Sequence, residues 1–314
     1  MSGVLAASEP HAAPRYQLRV PTMGTQAHLM SVHGEPELLE EARERLADLH
    51  AKWTRFEPDS EVSRINAAAG TPVRVSPETV LLVGLAVTAW TRTHGRYDPS
   101  VLPALLAAGY DRDFAALDAT SIGSRATGPA VGCAGVTVDA EASTVMVPPG
   151  TALDFGGIAK GLAADLIVAD LLEGGAIGAC VNIGGDLRVS GVSPRRGGWI
   201  VGVDHPRAHS LADCIRVTEG AVATTSRVKR TWGPSSCNLH HVIDPATGAP
   251  AHTTVQSVTI VGDQGWYVEA LAKAAFLAGP VDGADLLVAA GASGYFFLDG
   301  DQTVAVGSWN ELRA

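Results

Sequence analysis

Apolar and polar positions alternate along this chain in two distinct periods. Over residues 35–53, Leu38, Leu39, Ala42, Leu46, Leu49 and Trp53 recur three and four apart, with Glu and Arg on the other face. That spacing predicts an amphipathic helix packed by one side. Ser60 followed by Glu61 and Arg64 predicts a short capped helix. Ser76-Pro77-Glu78 opens another, by N-cap and Pro-at-first-turn logic, which runs to about Thr93 and ends at His94-Gly95-Arg96. Residues 97–101 turn into a short helix over 102–108, and residues 109–130 read as irregular. Leu162, Leu166, Ile167, Ala169 and Leu171 mark a further helix, and residues 266–278 one more, with Leu271, Ala274, Ala275 and Leu277 inward.

Between these lie short strand-like runs. Residues 16–33 read as two strands broken at Pro21-Thr22-Met23-Gly24-Thr25, and residues 135–147 as a hairpin. Residues 179–191 form two strands joined at Gly184-Gly185. Further strands fall at 198–203, 214–217, 220–226, 255–261, 294–298 and 303–306. Helices mixed with mainly antiparallel-looking strands predict an α+β fold, one large domain over residues 15–314, with residues 1–14 a loose tail.

Composition narrows the partners. The chain has 314 residues, of which 46% are apolar, enough for a sizeable core. Its net charge of −10 and the lack of a long basic stripe argue against nucleic acid. No apolar run is long enough to span a bilayer. Cys133, Cys180, Cys214 and Cys237 are far apart and form no C-x-x-C pair, which argues against zinc and fits a reducing compartment. Residues 1–14 carry no basic segment, no apolar stretch and no cysteine for lipid attachment, so the expected location is cytoplasmic.

The candidate chemistry centres on residues 153–165. Asp154 precedes Gly156-Gly157, and Lys160 opens the helix. A Gly-Gly turn before a helix start admits close backbone approach, and the free N–H groups attract anions such as a diphosphate. The same segment also reads as an ordinary turn with a solvated Lys. Phe56 is either a core aromatic or a platform for a planar ligand. Thr224-Thr225-Ser226 ends a strand in three hydroxyls that cap a turn or meet a ligand. His240 and His241 point to opposite faces of a strand, so at most one is expected to be functional. Asp244-Pro245 and Thr247-Gly248 form the turn after them. Glu269 and Lys273, four apart, read by themselves as a helix ion pair.

The order of these segments is more telling than any one of them. Met-Gly-Thr is followed by Phe-x-Pro-x-Ser-Glu-Val-Ser-Arg-Ile-Asn, Tyr-Asp-Pro-Ser-Val and Asp-Phe-Gly-Gly-Ile-Ala-Lys-Gly. Then come Asn-Ile-Gly-Gly-Asp, Ala-Thr-Thr-Ser, His-Val-Ile-Asp-Pro-x-Thr-Gly and a helix after Ser-Val-Thr-Ile. This succession, over roughly residues 23–279, closely resembles the ApbE family, the FAD:protein FMN transferases. The resemblance implies a T-fold-like domain. It implies transfer of FMN from FAD to a threonine hydroxyl of an acceptor flavoprotein, with release of AMP and use of magnesium. The related alternatives are an FAD pyrophosphatase and a non-catalytic FAD-binding protein. Met23 and Phe56 match positions flanking the flavin, and Tyr97, Asp98, Asp154 and Lys160 match FAD-contacting ones. Thr225 and Thr247 join that binding set. His241 matches the histidine implicated in the chemistry, with Asp244 orienting it or capping its turn. Gly157 matches a carbonyl that reaches the metal.

One segment departs from the family pattern. Where the family has an Asp and a Thr, four apart, as metal ligands, this chain has Glu269 and Lys273. Glu retains an oxygen ligand, but an ammonium has no lone pair to offer. Three outcomes follow: weaker metal binding on Glu269 and Gly157, an ammonium supplying part of the cation's charge, or lost activity.

Overall fold

The computed structural model describes residues 14–68, 70–117, 123, 127–234 and 239–314. The expected tail is therefore almost wholly outside the described residues, as is Cys237. The chain opens with a hairpin, β1 (Arg15–Thr22) and β2 (Thr25–Val32). Its two-residue tip is Met23-Gly24, both at positive φ (47° and 65°), the backbone of a type I′ turn that matches strand twist. Next come α1 (Glu37–Trp53), α2 (Glu61–Ala67), β3 (Val73–Arg74), α3 (Pro77–Arg92) and α4 (Leu102–Ala107). The short pair β4 (Thr137–Asp139) and β5 (Thr144–Met146) precedes α5 (Ala159–Glu173), β6 (Gly178–Ile183) and β7 (Asp186–Gly191). Then follow β8 (Trp199–Asp204), β9 (Leu211–Val217), β10 (Gly220–Ser226), β11 (Thr231–Trp232) and β12 (Leu239–His240). The chain closes with β13 (Ile243–Asp244), β14 (Ala249–Pro250), β15 (Val255–Gly262), α6 (Gly265–Ala289), β16 (Ser293–Leu298), β17 (Thr303–Val306) and α7 (Trp309–Leu312).

Eight strands form one sheet in the order β1-β2-β6-β7-β10-β15-β16-β17, each neighbour antiparallel to the next. The α+β expectation therefore holds. Period-two alternation sends Ala27, Leu29, Val181 and Ile183 to the face covered by α1 and α5, and Val258 and Ile260 to the stretch of core under α6. The intervening Val32, Val189 and Val222 face the other way, where Trp199, Ile215 and Trp309 of the β8–β9 hairpin and α7 cover them. Each fully buried side chain of this size contributes about 1.5–3 kcal/mol relative to exposure.

Local signals mostly hold. Ser60 caps α2, its hydroxyl accepting from Ser63 N at 3.0 Å. Ser76 does not cap α3 with its side chain; its hydroxyl donates instead to Glu61 at 2.7 Å, tying two helix starts together. Ala169 is exposed, whereas Gly161, Ala163, Ala164 and Val168 are buried, because α5 lies between sheet and helices and has little free face. The last long helix breaks at Gly279 (φ 80°) before Pro280, close to the expected end at residue 278.

Candidate functional site

The site lies where α5, α6, the β6–β7 and β12–β13 turns and the β1–β2 tip converge. The first turn of α5 places Lys160, whose ammonium donates to Glu269 Oε1, pairs with Asp186 at 2.9 Å and reaches the Gly156 carbonyl at 3.3 Å. Burial disfavours that ammonium, yet the two carboxylates outweigh it and push its pKa up. Glu269 Oε2 accepts from Gly161 N at 2.8 Å. The anion at this helix start is thus a side chain of α6, so the expected diphosphate seat is shared with Glu269.

α5 and α6 approach closely. A Cβ on Gly161 would lie 2.2 Å from the Gly265 carbonyl oxygen, and Asp165 accepts from Gly265 N and Trp266 N at 2.8 and 3.0 Å. That contact fixes Glu269 and Lys273, one helical turn apart, over the start of α5. The Lys273 stem lies on Gly157, where a Cβ would meet Cε at 2.6 Å and Nζ at 3.0 Å. Among the described residues Lys273 makes no hydrogen bond or ion pair. Burial, and then Lys160, lower its pKa.

The two histidines diverge, although β12 ends at His240 and His241 lies in the bend after it. His240 is fully buried, its Nε2 donating to Ala251 O at 3.1 Å and its Nδ1 accepting from Val242 N at 3.3 Å. Burial takes its pKa down to about 4, partly opposed by the Ala251 bond. His241 faces the site. Its Nδ1 is enclosed and unpartnered among the described residues. Burial, then the charges of Lys273 and Arg230, hold its pKa well below the usual 6.5.

Three adjoining cavities meet at His241 and Lys273, which line all of them. The first, about 120 Å³, is walled by Met23, Phe56, Tyr110, Asp154, Lys160 and Arg230. Here Arg55 pairs with Asp154 at 2.8 Å and lies 4.3 Å over the Phe56 ring and 4.7 Å over Tyr110. Phe56 is 36% exposed, which favours the platform over the core aromatic. The second, about 280 Å³, is polar, with Asp186, Thr225, Ser226, Ser257 and Thr259 on its walls. Thr225 is nearly buried, while Thr224 is exposed and hydrogen-bonded to Thr259 at 2.9 Å. The third, about 30 Å³, holds Tyr97, Asp98 and Gly157.

Other expected site residues also make local contacts. Asp98 accepts from Ser100 N at 2.8 Å, and Tyr97 is buried with its hydroxyl unpartnered among the described residues. Asp244 accepts from Ala246 N at 2.9 Å, so it caps the turn and does not orient His241. Thr247 is exposed on that turn and bonds only the Asp244 carbonyl, at 3.5 Å, among the described residues. Sequence reasoning missed Arg55 and Arg230 as site residues. It quoted Asp186 only as the end of Asn-Ile-Gly-Gly-Asp, whose Gly-Gly turn before an acid was the available signal.

The expected metal ligands do not form a metal site as arranged. Both Glu269 oxygens are engaged, by Lys160 and by Gly161 N, and Lys273 brings an ammonium against Gly157. Among the described residues no group of three His, Cys, Asp or Glu is placed to hold a metal ion.

The chain resembles known proteins along most of its length. It is 31% identical to the FAD:protein FMN transferase of Treponema pallidum over 242 residues, 70% of this chain and 66% of the relative. It is 29% identical to the Rhodobacter capsulatus protein of the same name, over 81% of this chain but only 50% of that one. The chain thus spans between half and about two thirds of the length of these relatives. The crystal structure of the ApbE protein of Thermotoga maritima superposes with a TM-score of 0.86 at 28% identity, covering 96% of this chain and 100% of that one. The Vibrio cholerae flavin transferase ApbE, 23% identical, shares the fold with a TM-score of 0.79 over 96% of this chain and 99% of that one. No helix among the described residues is long and apolar enough to cross a membrane. Residues 23–296 match the ApbE family profile, and with the fold shared over most of its length the chain belongs to the ApbE family.

Proposed function

We propose that this chain is an FAD:protein FMN transferase that moves FMN from FAD to a threonine hydroxyl of an acceptor flavoprotein and releases AMP. The observation that carries the reading is the junction at His241 and Lys273, where an aromatic cavity and a hydroxyl-lined cavity share the side chains of Lys160, Arg230, His241 and Lys273. A dinucleotide has that sequence of parts: a planar ring, a diphosphate and a nucleoside. The flavin belongs against Phe56, Met23 and Tyr110. The AMP half belongs beside Thr225 and Ser226. Lys160, Lys273 and Arg230 face the diphosphate between them.

In the reaction the acceptor hydroxyl oxygen forms a bond to the phosphorus of the FMN half, and the bond from that phosphorus to the bridging oxygen breaks. His241 takes the hydroxyl proton, and AMP departs with the bridging oxygen. A threonine hydroxyl is a poor nucleophile, so a positioned base lowers the barrier. The depressed pKa keeps the His241 imidazole in its free-base form at neutral pH. The cations stabilise the charge that develops on the leaving phosphate.

The test is intact-mass spectrometry of a threonine-bearing flavoprotein after incubation with the protein and FAD. A gain of one FMN, absent with His241→Ala, is the expected result. Free FMN and AMP without a mass gain would make the protein an FAD pyrophosphatase instead.

A further inference from the structure

Among the described residues the ammonium of Lys273 makes no hydrogen bond or close ion pair, although Glu269, Asp186 and Asp154 attract it through space and it stands in a wall shared by three cavities. Lys160 nearby is already matched by two carboxylates, Asp186 and Glu269. Asp186 and Glu269 together balance Lys160 and Lys273, and Arg230, which forms no ion pair among the described residues, leaves the junction one positive charge in excess. A charge left unpaired against low-dielectric walls is costly unless a counter-charge arrives. An anionic ligand in the adjoining cavities would bring that counter-charge.

We propose that the Lys273 ammonium, held on Gly157 beside Glu269, stands in for a divalent cation at the diphosphate, so that this protein binds FAD without magnesium. The assignment deepens the transferase reading and rests on FAD being the ligand. Three features of the site agree with it. Gly157 has no side chain, and the Lys273 stem fills the space a Cβ would take. Both Glu269 oxygens already accept, from Lys160 and from Gly161 N, so a metal ion placed on them would compete with the Lys160 ammonium. Lys273 can donate three hydrogen bonds to phosphate oxygens but can accept none from a metal's shell. A magnesium ion at the same place would meet a like charge.

Equilibrium binding of FAD, followed by flavin fluorescence and by calorimetry, tests this without turnover. The wild-type protein is titrated in excess EDTA and in millimolar magnesium chloride. Equal affinities within about two-fold are expected, and Lys273→Met, which keeps the stem but removes the charge, is expected to weaken binding by about ten-fold or more in both buffers. Lys273→Thr, which restores an oxygen, is expected to bind weakly in EDTA and to recover with magnesium. A wild-type affinity that falls about ten-fold on adding EDTA would overturn the assignment whatever the variants do. An unchanged affinity in a folded Lys273→Met protein would overturn it too. Loss of FAD binding by wild type in both buffers would instead sink the functional reading, and the assignment with it.

Discussion

His241 carries two opposing demands. In the proposed transfer it is to be unprotonated so as to accept a proton, and it is to stand beside the cations assigned to the diphosphate. Burial together with Lys273 and Arg230 resolves them by moving its pKa well below 6.5. The expected consequence is a single-turnover transfer rate that does not fall between pH 7 and pH 6.5 for want of free base, with the acid limb lying lower; a limb centred near 6.5 would contradict it. His241→Ala is expected to reduce that rate by about 10²–10⁴-fold, with FAD binding retained in the same preparation. On the aromatic side, Arg55 pins Asp154 and stacks on Phe56 and Tyr110. Phe56→Ala should weaken FAD binding by about 1–2 kcal/mol, read by calorimetry. The candidate residues differ in how far the sequence exposed them. That only one of the adjacent His240 and His241 faces the site was expected from strand alternation, although β12 ends at His240. Arg55 could not be found, because its role arises from Asp154 and Tyr110, each more than fifty residues away along the chain.

At the scale of elements, the site depends on how closely α5 and α6 meet. Gly161→Ala would place a methyl 2.2 Å from a backbone carbonyl that cannot yield cheaply. A loss of about 1–3 kcal/mol is expected, measured by denaturant unfolding. Asp165 spans the same contact by capping the start of α6. Burial raises its folded pKa to about 6 from 3.8, against the opposing backbone bonds and Arg188. The native state therefore holds this proton more tightly than the unfolded chain. Its contribution is greatest below pH 4 and declines as pH rises toward 6. Asp165→Asn removes that titration, so the stability gap between wild type and variant should shrink by roughly 2–3 kcal/mol between pH 4 and pH 7.5. A gap independent of pH would refute the assignment. Helices, the Met23-Gly24 turn and the strand runs were legible beforehand because each is written in local periodicity and turn chemistry. The sheet order was not, since β6 lies beside β2 and β15 beside β10 through contacts between distant segments. The α5–α6 contact was equally hidden: Gly161 and Gly265 look like ordinary glycines until both backbones are seen together.

Across the whole molecule, the fold brings together two parts of the candidate site from distant stretches of the chain. Met23 and Phe56 come from the N-terminal third, and Thr225, Ser226, His241 and Lys273 from the C-terminal half. A ligand reaching both cavities joins these halves, whereas a fragment fills only one. The net charge of −10 sharpens the point, because the cations at the junction act against an otherwise anionic molecule. A ligand that binds only the native state raises stability by about 2.7 kcal/mol at one hundred times its dissociation constant. Linking two fragments makes the second contact intramolecular, so the dinucleotide gains an effective concentration its pieces lack. FAD should therefore raise the calorimetric Tm more than FMN and AMP supplied together at the same concentration. With Phe56→Ala the FAD advantage should shrink toward the AMP value, because only the aromatic half has been weakened. If FMN and AMP together match FAD, the two cavities do not hold one molecule, and the arrangement of ring, diphosphate and nucleoside across His241 and Lys273 is wrong.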